Sequence, residues 1–430
     1  MKKQNLMNVW SIHFYRVWFV ADTSDVLADT LQTFVIPLLA FQLSHSQFIS
    51  GLISALSTFV SLLLMPFGGT LTDRHDRRNI MILQSTCQFI IGFVLVLFVS
   101  SGTLTIPTLT TLVFAAGTVN GLLGSATHAI LRSLIPVDLY ARAQAIREGR
   151  EACISLAGNP LSGLMYGLAR WMPSLFYSVM SLIGAICTFF LPSNRLQVES
   201  HHNTSSSKEQ TAPQSANKSG NSFLVDFLTG WKWSLSRNCL PWIMLFGTVI
   251  NIAISGIQSG IQLMLIAHGT NTALIGVVFG TMGVSSFLGS LAAGNLTDLV
   301  PTGKLIVGST ALMLLGITPL MIWQSYAASL ICVTCIGFLL PALNSGLFGF
   351  MYGRTPNDMQ GRVSTVFGTT VGLLGAATPA AVGAILEYAK NGFTIIASLA
   401  VVLTAASLSI AFFTGIRHIP QASRWQSYEL

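Results

Sequence analysis

The residues 69–78, GTLTDRHDRR, form a short charged segment between two long apolar stretches, at roughly 47–71 and 79–101. An α-helix rises about 1.5 Å per residue, so about 20 apolar residues cross the ~30 Å hydrocarbon core of a bilayer. Each flanking stretch is long enough to do so. The charged segment is therefore predicted to be a loop at a membrane surface that joins two transmembrane helices.

The same alternation of apolar stretch and short polar loop continues along the chain. Hydrophobic residues make up 52% of the 430 residues and charged residues only 9%, whereas a soluble domain carries about 25% charged residues. This composition predicts an all-α membrane protein with about twelve transmembrane helices. The other apolar stretches lie at roughly 14–40, 106–134, 141–168, 173–192, 239–266, 271–297, 303–322, 326–352, 361–387 and 392–415.

Two short matches relate the first and second parts of the chain. GTLTD at 69–73 matches GNLTD at 294–298. The segment 136–143 matches 356–363 at nearly the same offset. Two matches in the same order and in equivalent loops predict a duplication. The predicted organisation is an N-terminal six-helix half at 1–193, a cytoplasmic linker with a short surface helix at 194–238, and a C-terminal six-helix half with a cytoplasmic tail at 239–430.

The basic residues predict the orientation. With the N-terminus inside, 20 of the 22 Lys and Arg residues fall on the cytoplasmic side, and only Arg170 and Lys390 fall outside. Cytoplasmic loops of membrane proteins carry the excess of Lys and Arg, so both termini are predicted to be cytoplasmic. The net charge of +7 then lies in loops that face anionic lipid, and a nucleic-acid partner is not expected.

The sequence carries no pattern typical of catalysis. It contains no P-loop and no metalloprotease, kinase or nucleophile-elbow motif. Cys332 and Cys335 form a C-x-x-C within an apolar stretch without a second ligand pair, which favours helix packing over metal binding. We expect no enzyme activity, no cofactor and no metal site.

The stretch 69–78 resembles the loop 2–3 signature of the major facilitator superfamily, G-x-L-x-D-R-x-G-R-[RK]. Asp76 replaces the usual second glycine, and this variant resembles the bacterial branch that contains macrolide and siderophore exporters. The resemblance implies a monomeric transporter of the bacterial inner membrane. It also implies a substrate site at the midplane, between the two halves.

The same resemblance implies a gate of charged residues. In the family, the aspartate at the Asp73 position interacts with neighbouring helix ends, and the arginine at the Arg77 position joins a cluster that keeps the cytoplasmic side closed. Carboxylates favour helix N-termini and arginines favour carboxylates. The alternative is that the arginines only determine topology. The predicted gate motif comprises Gly69, Asp73, Arg74, Arg77, Arg78, Asp138, Arg142, Asp298, Asp358 and Arg362.

Gly158, Pro160 and Gly163 resemble part of the antiporter motif, G-P-x-x-G, although Asn159 separates the first glycine from the proline. Proline removes a backbone hydrogen bond and glycine allows close contact between helices. A bend is therefore expected in the fifth helix, and the resemblance implies antiport.

Ionisable residues within apolar stretches are the main candidates for function, because burying each one costs about 2.5–3.5 kcal/mol. Asp22, Asp25 and Asp29 are spaced three and four residues apart, so they share one face of the first helix. The fifth apolar stretch carries Arg147, Glu148, Arg150 and Glu151.

Arg150 and Asp22 lie at a similar depth in helices that the family fold makes neighbours. We expect Arg150, together with Arg147, to face the aspartate row. Five carboxylates then face two arginines, and like charges crowded at low dielectric cannot all stay ionised. Structural ion pairing is one interpretation. The excess of carboxylates favours the other, in which a carboxylate carries protons or contacts a cationic substrate.

Three amides in the seventh apolar stretch form a polar stripe, since they recur every seven or four residues. They are Asn251, Gln258 and Gln262, and we predict that they line the cavity. Glu387, near the outer end of the eleventh stretch, is interpreted as solvated.

The combined prediction is an antiporter that uses the proton gradient to expel a small amphipathic or cationic compound, of drug or siderophore type, as in multidrug resistance. Its partners would be the small-molecule substrate, protons and membrane lipid. Two alternatives stay open. One is uptake or flipping of a metabolite or lysophospholipid, and the other is a non-transporting receptor or scaffold of the same fold.

Overall fold

The computed structural model describes residues 9–135, 137–192, 229, 231–355, 360–421 and 425. Most of the predicted linker lies outside these residues, and so does Asp358. Within the predicted surface helix, residues 231–235 are helical. The domain boundaries at the linker stay a prediction.

Long α-helices dominate, and no strand occurs among the described residues. In chain order they are α1 (His13–Ser44), α2 (Gln47–Arg74), α3 (Arg77–Ser100), α4 (Ile106–Leu123), α5 (Ser125–Leu134), α6 (Val137–Leu168), α7 (Met172–Phe189), α8 (Leu240–Ala267), α9 (Thr272–Leu299), α10 (Thr302–Ile317), α11 (Tyr326–Arg354), α12 (Gln360–Tyr388) and α13 (Gly392–Phe413).

Eleven helices in the described part of the chain are long and apolar enough to cross a membrane. α6 is not among them because its first half is rich in charged residues. It is nevertheless 32 residues long and packs against α1 and α9 along the bundle. The prediction of an all-α membrane protein with about twelve spanning helices is confirmed.

Polar residues determine several helix ends. Asp76, the residue that replaces the signature glycine, accepts a 3.0 Å hydrogen bond from the Arg78 N–H and begins α3. Ser46 begins α2 in the same way, with a 3.2 Å bond from the Ile49 N–H. Such caps satisfy backbone donors that have no partner within the helix. The stretch 106–134, predicted as one helix, divides at Gly124 into α4 and α5, and glycine weakens a helix interior.

The two halves repeat the same helix pairings. α2 packs on α4 in the first half as α9 packs on α11 in the second, and α1 packs on α7 as α8 packs on α13. The halves meet mainly along two interfaces, between α2 and α12 and between α6 and α9.

The halves are in close contact at the end of the bundle where α1 ends and α2 begins, named here the closed end. A Cβ atom added to Gly51 would overlap the carbonyl oxygen of Pro379 on α12. One added to Gly163 would overlap the carbonyl oxygen of Thr272 on α9. The backbones of opposite halves therefore touch at both interfaces, and the lack of a side chain permits it.

Glu387 contributes a polar contact at the closed end. Its Oε2 accepts a 2.8 Å hydrogen bond from the backbone N–H of Gln47, the first residue of α2. A carboxylate is favourable at a helix N-terminus. Glu387 is exposed, as interpreted from the sequence, but it also joins α12 of one half to α2 of the other.

Candidate functional site

Arg150 of α6 forms a buried ion pair with Asp22 of α1. Its Nη2 lies 2.6 Å from Asp22 Oδ2, and the two side chains are 7% and 9% exposed. Arg150 also donates from Nη1 to Thr23 Oγ1 at 3.2 Å and stacks on the Phe19 ring, 5.2 Å from its centre. The contact predicted between Arg150 and the aspartate row is therefore made at Asp22.

Arg147 and Glu151 form an ion pair along α6. Arg147 Nε donates to Glu151 Oε1 at 2.9 Å, and Glu151 is 39% exposed. Arg150 Nη2 lies 3.6 Å from the same oxygen. Glu151 thus bridges the two arginines. The side chain of Glu148 lies outside the described part of the structure.

Asp25 points into the N-terminal half. The hydroxyl of Ser85 on α3 donates to Asp25 Oδ2 at 3.2 Å. Gly184 on α7 leaves room for the carboxylate, because a Cβ atom there would lie 2.6 Å from Asp25 Oδ1. Asp25 is buried between α1, α3 and α7, away from the space that the two halves share.

Asp29 lies halfway along α1, in the wall of a cavity between the two halves. The side-chain amide of Asn120 on α4 lies near its carboxylate. Asn120 Oδ1 in turn accepts a 2.6 Å hydrogen bond from Gln88 Nε2.

The cavity, named here the central cavity, has a volume of about 450 Å³ and is lined by α1, α6, α8 and α9. Among the described residues in its wall, Asp29 is the only one with an ionisable side chain. Phe34 of α1 and Phe279 of α9 meet edge to face across the halves, with ring centres 6.4 Å apart. The site therefore combines one carboxylate, several neutral polar groups and an aromatic edge.

The polar stripe of α8 reaches the central cavity at two of its three positions. Gln258 and Gln262 line the cavity, and Gln262 Nε2 donates to the Phe34 carbonyl oxygen at 3.4 Å. Asn251 is not in this wall. It lies nearly two turns away, and its amide oxygen faces Gly375 on α12, so its place in a transport cavity stays a prediction.

The two glycines of the motif around Pro160 lie where α6 packs against α1 and α9. Gly158 lies against Thr30 of α1, and Gly163 lies against the backbone of α9. α6 remains one helix through Pro160. Asn159, the residue that departs from the family motif, lines the central cavity.

The predicted gate is described only in part. Arg78 stacks on the Phe189 ring, 5.1 Å from its centre, and donates to the Phe189 carbonyl oxygen, which ties α3 to α7 within one half. Gly69 lies near the end of α2, where an added Cβ atom would meet open space. Arg77 is half-buried at the start of α3. The side chains outside the described part are those of Asp73, Arg74, Asp138, Arg142, Asp298 and Arg362.

Several polar residues of the site were not predicted as site residues by the sequence analysis, among them Asn120, Asn159 and Ser85. Asn159 and Asn120 were passed over because a single amide in an apolar stretch has no periodic signal. Ser85 was passed over because a serine in a transmembrane helix usually bonds to its own backbone. Nothing in the spacing distinguishes these residues from ordinary packing residues.

Two helical halves with the same packing, around a cavity at the middle of the bundle, are the architecture of one class of membrane transporters. A family model described as the Major Facilitator Superfamily matches residues 19–380. The chain belongs to this superfamily and is a transporter, not an enzyme.

Characterised relatives are distant but cover most of the chain. The enterobactin exporter EntS of Salmonella choleraesuis (strain SC-B67) is 23% identical over 380 residues, which is 86% of each chain. Its counterpart in Escherichia coli O1:K1 / APEC is 22% identical over 381 residues, with the same coverage.

A solved structure shares the fold. The crystal structure of a bacterial homologue of the iron transporter ferroportin, in the inward-facing state, matches 96% of this chain and 99% of its own, with a TM-score of 0.65 and 12% identity. At that identity the likeness concerns the fold alone.

Proposed function

We propose that this chain exports a small amphipathic or cationic compound in exchange for protons. The observation that carries the proposal is the position of Asp29, the one ionisable side chain among the described residues that line the central cavity. An ionised carboxylate within a membrane costs about 2.5–3.5 kcal/mol and is usually functional. A proton or a cationic substrate would remove that cost.

Exchange follows from competition at a single carboxylate. Asp29 can hold a proton or neighbour a cation, and each species displaces the other. A cation arriving from the cytoplasm releases the proton there. After the cavity opens to the other side and the cation leaves, a proton from that side takes its place. Cation export is thereby coupled to proton entry.

The remaining carboxylates have different proposed roles. Arg150 neutralises Asp22 within hydrogen-bonding distance, so this pair positions α1 against α6. Asp25, whose hydrogen bond comes from Ser85, is the second candidate to carry a proton. Its burial inside one half separates it from the substrate.

The cavity wall supports an amphipathic substrate. Phe34 and Phe279 offer an apolar edge, while Asn159 and Gln258 offer amide oxygens. The volume of about 450 Å³ lies within the ~300–1,000 Å³ usual for ligand pockets. The exporter names of the relatives support efflux, and they make a siderophore the second candidate substrate.

We further propose a monomer in the bacterial inner membrane, surrounded by lipid, with both termini in the cytoplasm. The basic loops support this orientation, and the relatives come from Salmonella and Escherichia coli. In this orientation the closed end faces the periplasm.

Transport into inside-out membrane vesicles tests the proposal. An imposed proton gradient, acid inside, should drive uptake of tetraphenylphosphonium or of a siderophore, and collapse of the gradient should stop it. Asp29→Asn should abolish gradient-driven uptake while the protein still reaches the membrane. Glu151→Gln, which changes a carboxylate outside the cavity, should retain it. Full activity of the Asp29→Asn protein would contradict the proposed role.

A further inference from the structure

A second, smaller cavity adjoins the central one. It has a volume of about 170 Å³ and lies between α1, α2, α8 and α12. Thr33, Ser259 and Gln262 line both cavities. The two cavities therefore share part of their wall and are adjacent, so an elongated molecule could occupy both.

The wall of the smaller cavity offers free hydroxyl groups from both halves. They belong to Ser57 and Thr58 of α2 and to Ser259 of α8, and together they are named here the hydroxyl subsite. None of them has a hydrogen-bond partner within the part of the chain that the structure describes. In contrast, the Ser54 hydroxyl in the same wall donates to the Ser50 carbonyl oxygen at 2.7 Å.

The free hydroxyls contrast with the usual arrangement in this protein. A serine or threonine within a helix normally satisfies its hydroxyl on the carbonyl four residues before it. Thr30 does so in the central cavity, with a 2.8 Å bond to the Val26 carbonyl oxygen. Hydroxyls that lack this bond and face a cavity are available to a ligand, as donors or as acceptors.

The two cavities differ in charge. Asp29 provides a carboxylate in the central cavity, whereas no described residue in the wall of the smaller cavity is ionisable. A single bound molecule would therefore meet an acidic pole at one end and a neutral, hydrogen-bonding pole at the other.

We propose that the hydroxyl subsite binds one end of an elongated substrate. The substrate class is a cation with a neutral, oxygen-bearing group, such as a hydroxyl, ether or amide, at a distance from its charge. The charged end lies at Asp29 and the oxygen-bearing end at Thr58 and Ser259. The placement of the charged end rests on the proposed function, whereas the hydroxyl subsite rests on its own geometry.

The location of the subsite gives the substrate a direction. Gly51 and Pro379 line the same small cavity and form the tight contact between α2 and α12. The oxygen-bearing end therefore lies next to the closed end, between the central cavity and the point where the halves must separate. When the closed end opens, the oxygen-bearing end of the substrate is the first part to enter the opening.

Three probes of equal heavy-atom count separate the two poles. Aminooctanol carries an amine and a hydroxyl, nonylamine replaces the hydroxyl by a methyl group, and nonanol replaces the amine. Binding to the full chain in lipid nanodiscs is measured by titration calorimetry, with empty nanodiscs as the blank. Aminooctanol should bind about two- to tenfold more tightly than nonylamine, which is the gain from one net hydrogen bond.

Variants assign that gain to the subsite. The double variant Thr58→Val with Ser259→Ala should reduce the ratio between the two amines to about one. Ser54→Ala, whose hydroxyl is already bonded within its helix, should retain the wild-type ratio. An unchanged ratio in the double variant would overturn the proposal.

Asp29→Asn separates this inference from the proposed function. It should weaken both amines equally and leave nonanol unaffected. If Asp29→Asn has no effect but the double variant removes the ratio, the cation site is refuted and the hydroxyl subsite stands. If Asp29→Asn weakens the binding of both amines but the double variant keeps the affinity ratio, the hydroxyl subsite is refuted and the cation site stands.

A second measurement does not depend on the double variant folding. Modification of a Thr58→Cys protein by N-ethylmaleimide is followed at that site by mass spectrometry. Aminooctanol should slow it, while modification of an Ala381→Cys control in the separate apolar groove of the C-terminal half should be unaffected. Equal rates at Thr58→Cys with and without aminooctanol would contradict occupancy of the subsite.

Discussion

Replacing Arg150 by methionine should destabilise the protein far more than removing its whole ion pair. The substitution keeps an unbranched side chain but leaves the Asp22 carboxylate buried, with its 2.6 Å partner gone. It also removes the hydrogen bond to Thr23 and the stacking on Phe19. An uncompensated buried charge costs about 3–5 kcal/mol. The variant should lose a free energy of unfolding of that size.

The double variant Arg150→Met with Asp22→Asn should recover most of this loss, because neither charge remains. Unfolding is followed by tryptophan fluorescence in dodecyl maltoside titrated with SDS. Arg147→Met is the matched control on the same helix. One partner of Arg147, Glu151, is 39% exposed, so loss of that ion pair should cost less than about 1 kcal/mol. A double variant as unstable as the sum of the two single variants would refute the reasoning.

Three further predictions follow from the gate and the closed end. Arg77→Ala should impair transport in vesicles at unchanged membrane expression, since gate charges bias an equilibrium between two states; normal transport would leave Arg77 a topology determinant. Glu387→Gln should increase the labelling of a Thr58→Cys protein by an impermeant maleimide added at the closed end about two- to fivefold. The reason is that a charged helix cap stabilises the closed state by about 0.3–1 kcal/mol. Unchanged labelling would show that Glu387 does not help to keep this end closed. Gly51→Ala should also raise this labelling, because the methyl group meets a backbone carbonyl, whereas Gly308→Ala, which meets open space, should not.

Hydropathy alone predicted the spanning helices because each must bury about 20 apolar residues. The clearest departure is the division of the stretch 106–134 at Gly124, a local backbone effect that an apolar window averages away. α6 illustrates the opposite case. Its charged first half lowers its hydropathy, yet the Arg147–Glu151 pair within the helix and the Arg150–Asp22 pair with α1 let it pack within the bundle.

The sequence predicted those contacts of the candidate site for which charge and depth in the membrane left few possible partners. Arg150 and Asp22 had few other partners at their depth, so their pairing followed from the sequence. The different surroundings of Asp25 and Asp29 did not follow. Three positions on one helical face differ by about 60° in direction, and neighbouring helices determine which of them reaches the cavity. On α8, likewise, the regular spacing of the three amides did not show that Asn251 lies outside the wall of the central cavity.

Proton release on substrate binding tests the central claim most directly. Purified protein in weakly buffered detergent solution is titrated with tetraphenylphosphonium while the pH of the solution is recorded. The account predicts that the wild-type protein releases protons as it binds the cation, because both compete for the Asp29 carboxylate. Asp29→Asn should release none, whether or not it still binds. Equal proton release by the Asp29→Asn and wild-type proteins would contradict the account.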